Sequence, residues 1–253
     1  MPADAVPLYR LLEAAAAAHA DRPALVYRGL PLTFERVREQ MNRVASSLQQ
    51  ALAVDPGQRI ALHLPNCPQF LIVAHAAWKL GAAVAPIDPA ADAAQIARQT
   101  TAADARVIVT LSPQASTVLA ACAQPQSSIR HVIVASVKDY LPFGAKLRYT
   151  LFREKKEGQA FDRRTAPRFV YPYPNMVLHN PRPDPVDVGL DDAALLLPGR
   201  TLAHRDLLAA IAPAPAEATP PPLIVTGPFW TFDGLAAALT ALYGGTALWI
   251  RDT

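Results

Sequence analysis

The chain has 253 residues, 51% of them apolar and 18% charged, with 25 prolines against 11 glycines and two cysteines. That composition supplies a sizeable folded core and excludes a disordered, collagen-like or disulfide-framed chain. The formal net charge of +3 is unevenly spread: residues 141–182 hold nine Lys/Arg against Glu154, Glu157 and Asp162, so the remainder is acidic.

Leu8, Leu11 and Leu12, with the alanines after them, fall at helical spacing. They predict a first helix that stops near Asp21-Arg22-Pro23, because proline disfavours helix in the residue before it. The N-terminus has no basic region followed by an apolar core, and no uninterrupted apolar stretch reaches the roughly 18 residues of a membrane span. Secretion and membrane spanning are therefore not expected, and a cytoplasmic protein is. Cys67 and Cys122 lack C-x-x-C spacing and read as buried thiols of a reducing compartment.

Ala24 to Tyr27 and Leu30 to Leu32 flank Arg28-Gly29, a tight hairpin signal, and Thr33 caps the helix that follows. Val37, Met41, Val44, Leu48 and Leu52 give that helix a buried stripe. Arg59 to Leu64 is a strand, Cys67 to Leu80 a helix closed by Gly81, and Ala82 to Ile87 the next strand. Ala91 to Thr101 reads as helix and Ala105 to Leu111 as strand. Ser112 then caps a helix with Pro113 at its first position, before the strand Ile129 to Ala135. This alternation predicts an α/β fold with a mainly parallel sheet flanked by helices.

From Tyr140 to Phe152, Leu141, Phe143, Leu147, Leu151 and Phe152 interleave with basic residues. The pattern fits an interfacial helix or an ordinary surface helix. Lys146, Arg148, Arg153, Lys155 and Lys156 are the candidate contacts to an anionic lipid surface. Proline and aspartate after Arg182 make an extended linker up to Asp191. Ala193 to Leu197 is an apolar strand, and a helix is expected from Leu202. Between them stand Pro198, Gly199 and Arg200; a strand, a turn and a helix N-terminus together form a natural anion site. After the Pro/Ala-rich run 212–222, Leu223 to Val225 reads as strand, Gly234 to Tyr243 as helix stopped by Gly244-Gly245, and Thr246 to Ile250 as strand.

Isolated catalytic signatures are missing. His63, Cys67 and His75 have no ligand-spaced carboxylate beside them, so no metal site is expected. No G-x-S-x-G occurs, and no G-x-G-x-x-G follows a strand.

Several stretches taken together resemble the front half of adenylate-forming (AMP-binding) enzymes, long-chain fatty acid–CoA ligases in particular. They are Asp21-Arg22-Pro23-Ala24, Leu32-Thr33-Phe34, Arg59-Ile60-Ala61-Leu62, Asn66-Cys67-Pro68-Gln69-Phe70, Ala77-Trp78-Lys79-Leu80-Gly81-Ala82, Pro86-Ile87-Asp88-Pro89 and Lys138-Asp139-Tyr140-Leu141-Pro142-Phe143. Asp191 to Leu208 resembles the family's core motif, with Asp191, Asp192, Pro198, Gly199, Leu202, His204, Arg205 and Leu207 in place. The Gly/Ser/Thr tract and its lysine, roughly nine residues that hold the ATP phosphates, are absent.

The resemblance implies ATP, magnesium and CoA as cofactors of the intact family. Here it leaves a degenerate phosphate-loop remnant, Pro198, Gly199, Arg200 and His204, and a degenerate acyl-site remnant, Trp230, Thr231, Asp233 and Gly234. Thr231 takes the place of the family's histidine, and Asp233 that of an aromatic residue. The expected organisation is an α/β subdomain over 1–140, a basic segment and proline-rich linker over 141–190, and a truncated remnant of the AMP-binding core over 191–253. The chain is expected to have no catalytic residue, metal or cofactor of its own. It would work as a binding, regulatory or scaffold subunit in lipid metabolism, as a homo-oligomer or with a protein partner, with peripheral contact to the inner face of the membrane and none with nucleic acid. Two other readings stay open: a fragment that completes an active site in trans with a separate partner, and a decayed gene product.

Overall fold

A computed structural model describes residues 5–141, 166–180, 182–211, 222–225 and 227–251. Lys146, Arg148, Arg153, Lys155 and Lys156 lie outside the described residues, as does most of the Pro/Ala-rich run. In chain order the elements are α1 (Leu8–His19), β1 (Pro23–Tyr27), β2 (Leu30–Thr33), α2 (Phe34–Leu52), β3 (Arg59–His63), α3 (Pro68–Lys79), β4 (Ala83–Pro86), α4 (Ala93–Ala102), β5 (Ala105–Leu111), α5 (Ala115–Cys122) and β6 (His131–Ala135). They continue as β7 (Val170–Pro172), α6 (Tyr173–Met176), β8 (Ala193–Leu197), β9 (Arg200–Ala203), α7 (His204–Ala210), β10 (Leu223–Val225), α8 (Phe232–Tyr243) and β11 (Leu248–Ile250).

The strands form two sheets. Seven run in the order β7-β6-β5-β3-β4-β8-β9, parallel except for the final β8–β9 hairpin. The other four run β10-β11-β1-β2, antiparallel only at β1–β2. The first hairpin therefore leaves the main sheet and joins the last strands, Leu25 beside Leu248. The result is the α/β, mostly parallel arrangement expected from the sequence, divided over two sheets.

Burial follows the alternation along the strands. On one face of the large sheet, Ile96 and Ala97 of α4 and Ala115 and Val118 of α5 pack on Ala61, Ile108 and Val132. Its other face shares a core with the small sheet, where Leu12, Met41, Leu48, Phe70, Trp78 and Leu239 meet Leu25, Leu248 and Ile250. α3 is buried along its whole length from Pro68 to Trp78 and is mostly apolar; its polar Gln69 and His75 are hydrogen-bonded to the Ser136 and Leu71 carbonyls.

Local signals place most boundaries. Thr33 Oγ1 accepts the Arg36 N–H at 3.2 Å, as a capping threonine should. Ser112 does not cap its helix. Its hydroxyl donates instead to the Ala135 carbonyl at 2.9 Å, beyond the end of the β5–β6 ladder, and a short 3₁₀ turn precedes α5. The proline-rich linker is held on α2, where the Asp184 N–H donates to Gln49 Oε1 at 2.7 Å and Arg43 donates to the His179 carbonyl at 2.9 Å. Among the described residues, no helix is long and apolar enough to cross a membrane.

Candidate functional site

The segment that resembles a phosphate loop is a β-hairpin. Ala193–Leu197 forms the expected strand, but the helix expected from Leu202 begins at His204, because Arg200–Ala203 folds back as β9. Pro198-Gly199 is the whole turn, with Leu197 paired directly to Arg200. Proline holds φ near −65° and has no N–H to give, and Gly199 sits at φ 71°, a conformation glycine adopts without a Cβ clash. Four residues of β9 separate this turn from α7, so the turn and a helix N-terminus do not converge on one anion. The Ala203 N–H at the start of α7 is already taken by Asp206 Oδ2 at 2.8 Å.

The same arrangement stands at the first hairpin. In β1–β2 the pairs are Pro23 with Thr33, Leu25 with Leu32, Val26 with Pro31 and Tyr27 with Leu30. In β8–β9 they are Ala193 with Ala203, Leu195 with Leu202, Leu196 with Thr201 and Leu197 with Arg200. Each ladder shifts register at the same step, between its first and third residues. Each following helix is tied back alike: the Phe34 and Glu35 N–H groups donate to the Arg22 and Ala20 carbonyls at 3.0 Å. The His204 and Arg205 N–H groups donate to the Asp192 and Leu190 carbonyls at 3.1 and 3.0 Å.

The motif's remaining polar residues fasten this hairpin. His204 is fully buried, accepts the Leu8 N–H on Nδ1 at 3.3 Å, and lies edge-on to Trp78 with ring centres 6.2 Å apart. Burial pushes its pKa down to about 4 against the opposing pull of Asp192, so the imidazole is neutral near pH 7. Trp78 Nε1 donates to the Ala194 carbonyl of β8 at 2.8 Å. Asp192 Oδ2 accepts the Gly189 N–H at 2.8 Å, and Asp191 pairs with Arg205. His75 is bound between the Leu71 carbonyl and the Tyr243 hydroxyl, at 2.7 and 2.8 Å, and His63 lies against Thr110 at 3.1 Å. Burial lowers the pKa of each to about 4. Among the described residues, no His, Cys, Asp and Glu group is arranged to hold a metal.

The second remnant, around 227–234, is a helix entry. Thr231 Oγ1 accepts the Gly234 N–H at 3.3 Å and donates to the Pro228 carbonyl at 2.8 Å, so the residue in the histidine's place caps α8. A Cβ on Gly234 would lie 2.1 Å from the Pro228 oxygen, which restricts the position to glycine. Asp233 is exposed in the first helical turn, where the helix dipole favours a carboxylate. Trp230 is half-buried. Arg200 lies 5.8 Å over the Phe232 ring, so the two remnants meet.

Asn66 organises this entry, a role the sequence reading missed. Its amide donates to the Gly227 carbonyl at 3.0 Å and accepts the Phe229 N–H at 2.7 Å, while Phe229 packs on Phe70. In the sequence Asn66 stood out only within Asn66-Cys67-Pro68-Gln69-Phe70, one of the stretches that carry the family resemblance.

A family model described as an AMP-binding enzyme matches residues 12–197. The chain belongs to the AMP-binding enzyme family. The match ends at Leu197, the last residue before the turn. Two similar relatives are the long-chain-fatty-acid–CoA ligases of Bacillus subtilis (strain 168) and Salmonella typhimurium. The first is 30% identical over 159 residues, 62% of this chain and 27% of the relative. The second is 31% identical over 134 residues, 53% and 24%. The match thus spans about a quarter of these curated relatives.

Among solved structures, coronafacic acid ligase from Pectobacterium brasiliense aligns with TM-score 0.77 at 12% identity, covering 97% of this chain and 45% of that one. The N-terminal domain of FACL13 from Mycobacterium tuberculosis aligns with TM-score 0.76 at 18% identity, covering 98% and 57%. The fold of this chain is that of the N-terminal domain of adenylate-forming enzymes, and its sequence is related to the long-chain acyl-CoA ligases.

Proposed function

We propose that this AMP-binding-family chain does not form acyl-adenylates and acts by binding, as a regulatory or scaffold subunit in cytoplasmic acyl metabolism. The observation that carries this reading is the hairpin β8–β9. Adenylation brings a carboxylate against the α-phosphate of ATP, two anions that repel, and the catalyst must supply fixed donors and positive charge along the phosphates. Here the turn has two residues, one without an N–H, and β9 pairs back onto β8 from the first residue after it. Removing one donor of this kind costs about 10²–10³ in rate, and a whole loop of them is replaced.

The binding role draws support from the small sheet. Leu223, Ile224 and Trp249 are 39%, 43% and 45% exposed on the adjoining strands β10 and β11, at the sheet's edge. Among the described residues no strand pairs with the outer side of β10, and exposed apolar side chains beside such an edge suit a protein partner, either a second copy or an enzyme of acyl metabolism.

The test is fatty-acid-dependent exchange of labelled pyrophosphate into ATP. The chain alone is expected to give no exchange above the no-enzyme control, and exchange above it overturns the reading. Activity that appears only with a second protein supports completion of the site in trans instead.

A further inference from the structure

A cleft of about 330 Å³ lies apart from both remnants, between α1, α2, the end of α3 and the proline-rich linker. Tyr9, Arg10 and Glu13 line it from α1, Asn42 from α2, Lys79 from α3, and Arg182 and Asp184 from the linker. The linker is a fixed wall: Gln49 accepts the Asp184 N–H at 2.7 Å and donates to the Asp184 carbonyl at 3.3 Å. Of the cations, Lys79 is committed to Glu13, whereas Arg10 has only the Tyr9 ring, its guanidinium carbon 5.5 Å from the ring centre. Arg182 has no hydrogen-bond or ion-pair partner among the described residues, and neither has the exposed carboxylate of Asp184. The Asn42 carboxamide is also unpartnered among them, with its Oδ1 buried.

Two guanidinium groups free to donate into one cleft suit an acceptor with several oxygens and more than one charge, which a phosphate monoester supplies. The acceptors beside them need the opposite. A buried carboxamide oxygen without a partner is costly, and a hydroxyl donating to it removes that cost; the Asp184 carboxylate accepts from hydroxyls in the same way. A bare anion would satisfy the arginines and leave Asn42 unpaired, and an apolar body would leave both acceptors unpaired. No aromatic face is open for a base to stack on, since Tyr9 is 5% exposed with Arg10 and Lys79 each 5.5 Å from its ring centre. The volume stands at the lower end of small-molecule sites, roughly 300–1,000 Å³, which fits a compact ligand. We propose that this cleft binds a small phosphate monoester whose body carries hydroxyl groups, of the class of glycerol and sugar phosphates. The phosphate lies against Arg10 and Arg182, and the hydroxyls meet Asn42 and Asp184. The assignment holds whether or not the chain adenylates anything, because it uses no residue of the β8–β9 hairpin or of the 227–234 helix entry.

The test is a titration of the ¹⁵N-labelled chain with glycerol 3-phosphate and glucose 6-phosphate, with inorganic phosphate, glucose and AMP as parallel arms. Saturable shifts confined to the amides of residues 9–13, 42, 79, 182, 184 and 186 are expected with at least one of the two esters, and clearly weaker effects in the other three arms. Arg10→Gln and Arg182→Gln should each lower ester affinity by about tenfold, the scale of a hydrogen bond to a charged group. Both residues are exposed, so an unchanged melting curve should confirm the fold. Asn42→Leu should lower affinity for the esters and not for inorganic phosphate, which separates the hydroxyl contact from the charge contact. Its melting temperature should not fall, because the substitution removes a buried oxygen that has no partner. Absence of saturable binding by both esters, shifts elsewhere, equal binding of phosphate, glucose or AMP, or affinity unchanged in the three variants would each overturn the proposal.

Discussion

The hairpins β1–β2 and β8–β9 have the same turn length, the same pairing, the same register shift and the same ties to a following helix, yet they occupy different places in the family's chemistry. The first is a structural corner. The second lies where the resemblance puts a phosphate loop, and it is built like the first. The two differ in the turn's backbone and in side chains. Arg28 and Gly29, at φ 51° and 78°, both take left-handed backbone in the first turn, whereas Pro198 replaces arginine in the second and leaves only Gly199 left-handed. The first helical residue is a fully buried phenylalanine, Phe34, in one case and a fully buried histidine, His204, in the other. What this teaches is that the segment resembling a nucleotide motif is built as an ordinary hairpin–helix unit, like one that has no such resemblance.

The matched helix starts give the largest expected effect. Phe34→Ala should cost about 3–5 kcal/mol, the usual range for emptying a buried aromatic site. His204→Ala should cost less, about 1–3 kcal/mol from the orphaned Leu8 N–H, plus whatever cavity does not collapse. Urea midpoints of the two variants check both, and a His204→Ala chain as stable as wild type would break the structural role given to that histidine.

The second prediction separates the hairpins by pH. His204, like His63 and His75, has its folded pKa lowered to about 4 from an ordinary value near 6.5. Its contribution is therefore fully present above about pH 6.5 and is lost as pH falls toward 4, because the unfolded chain takes up the proton first. Each such group adds about 1.4 kcal/mol per pH unit to the slope within that window. Stability measured at pH 7.5, 6 and 5 should fall steeply, and His204→Phe, which copies the first hairpin, should lower the slope by about one proton. An unchanged slope counts against burial of His204.

The smallest effect concerns the turns. Gly29 and Gly199 have similar φ values, 78° and 71°, and nothing within 4 Å of an added Cβ, so replacement by alanine meets only backbone strain. Both Gly→Ala variants should lose about 1–2 kcal/mol, to a similar extent. A much larger loss at Gly199 would show that the second turn has a role the first lacks.

Much of the fold was legible in the sequence because its signals are local. The α2 stripe from Val37 to Leu52, the Arg28-Gly29 turn and the Thr33 cap each rest on neighbours within a few residues. The split into two sheets was not legible, since β1 finds β11 across more than two hundred residues and nothing in either strand names its partner. The helix start was misread at Leu202 because β9 is only four residues long, too short to show an alternating pattern, while Leu202 and Leu207 are both core residues. At the candidate site the resemblance singled out Pro198 to Arg200, and the structure makes them a two-residue turn and the first residue of β9. The roles of Thr231 as a cap and of Asn66 as a clamp depend on the carbonyls of Pro228 and Gly227, whose positions only the folded chain fixes.

The most direct measurement is a titration of the ¹⁵N-labelled chain with magnesium–ATP, read on the amides of Gly199, Arg200 and Thr201. If β8–β9 is a structural hairpin like β1–β2, these amides should show no saturable shift at millimolar nucleotide and should behave like those of Gly29, Leu30 and Val26. Saturable shifts at residues 199–201 with none at the first hairpin would contradict that equivalence and restore the turn as a nucleotide site.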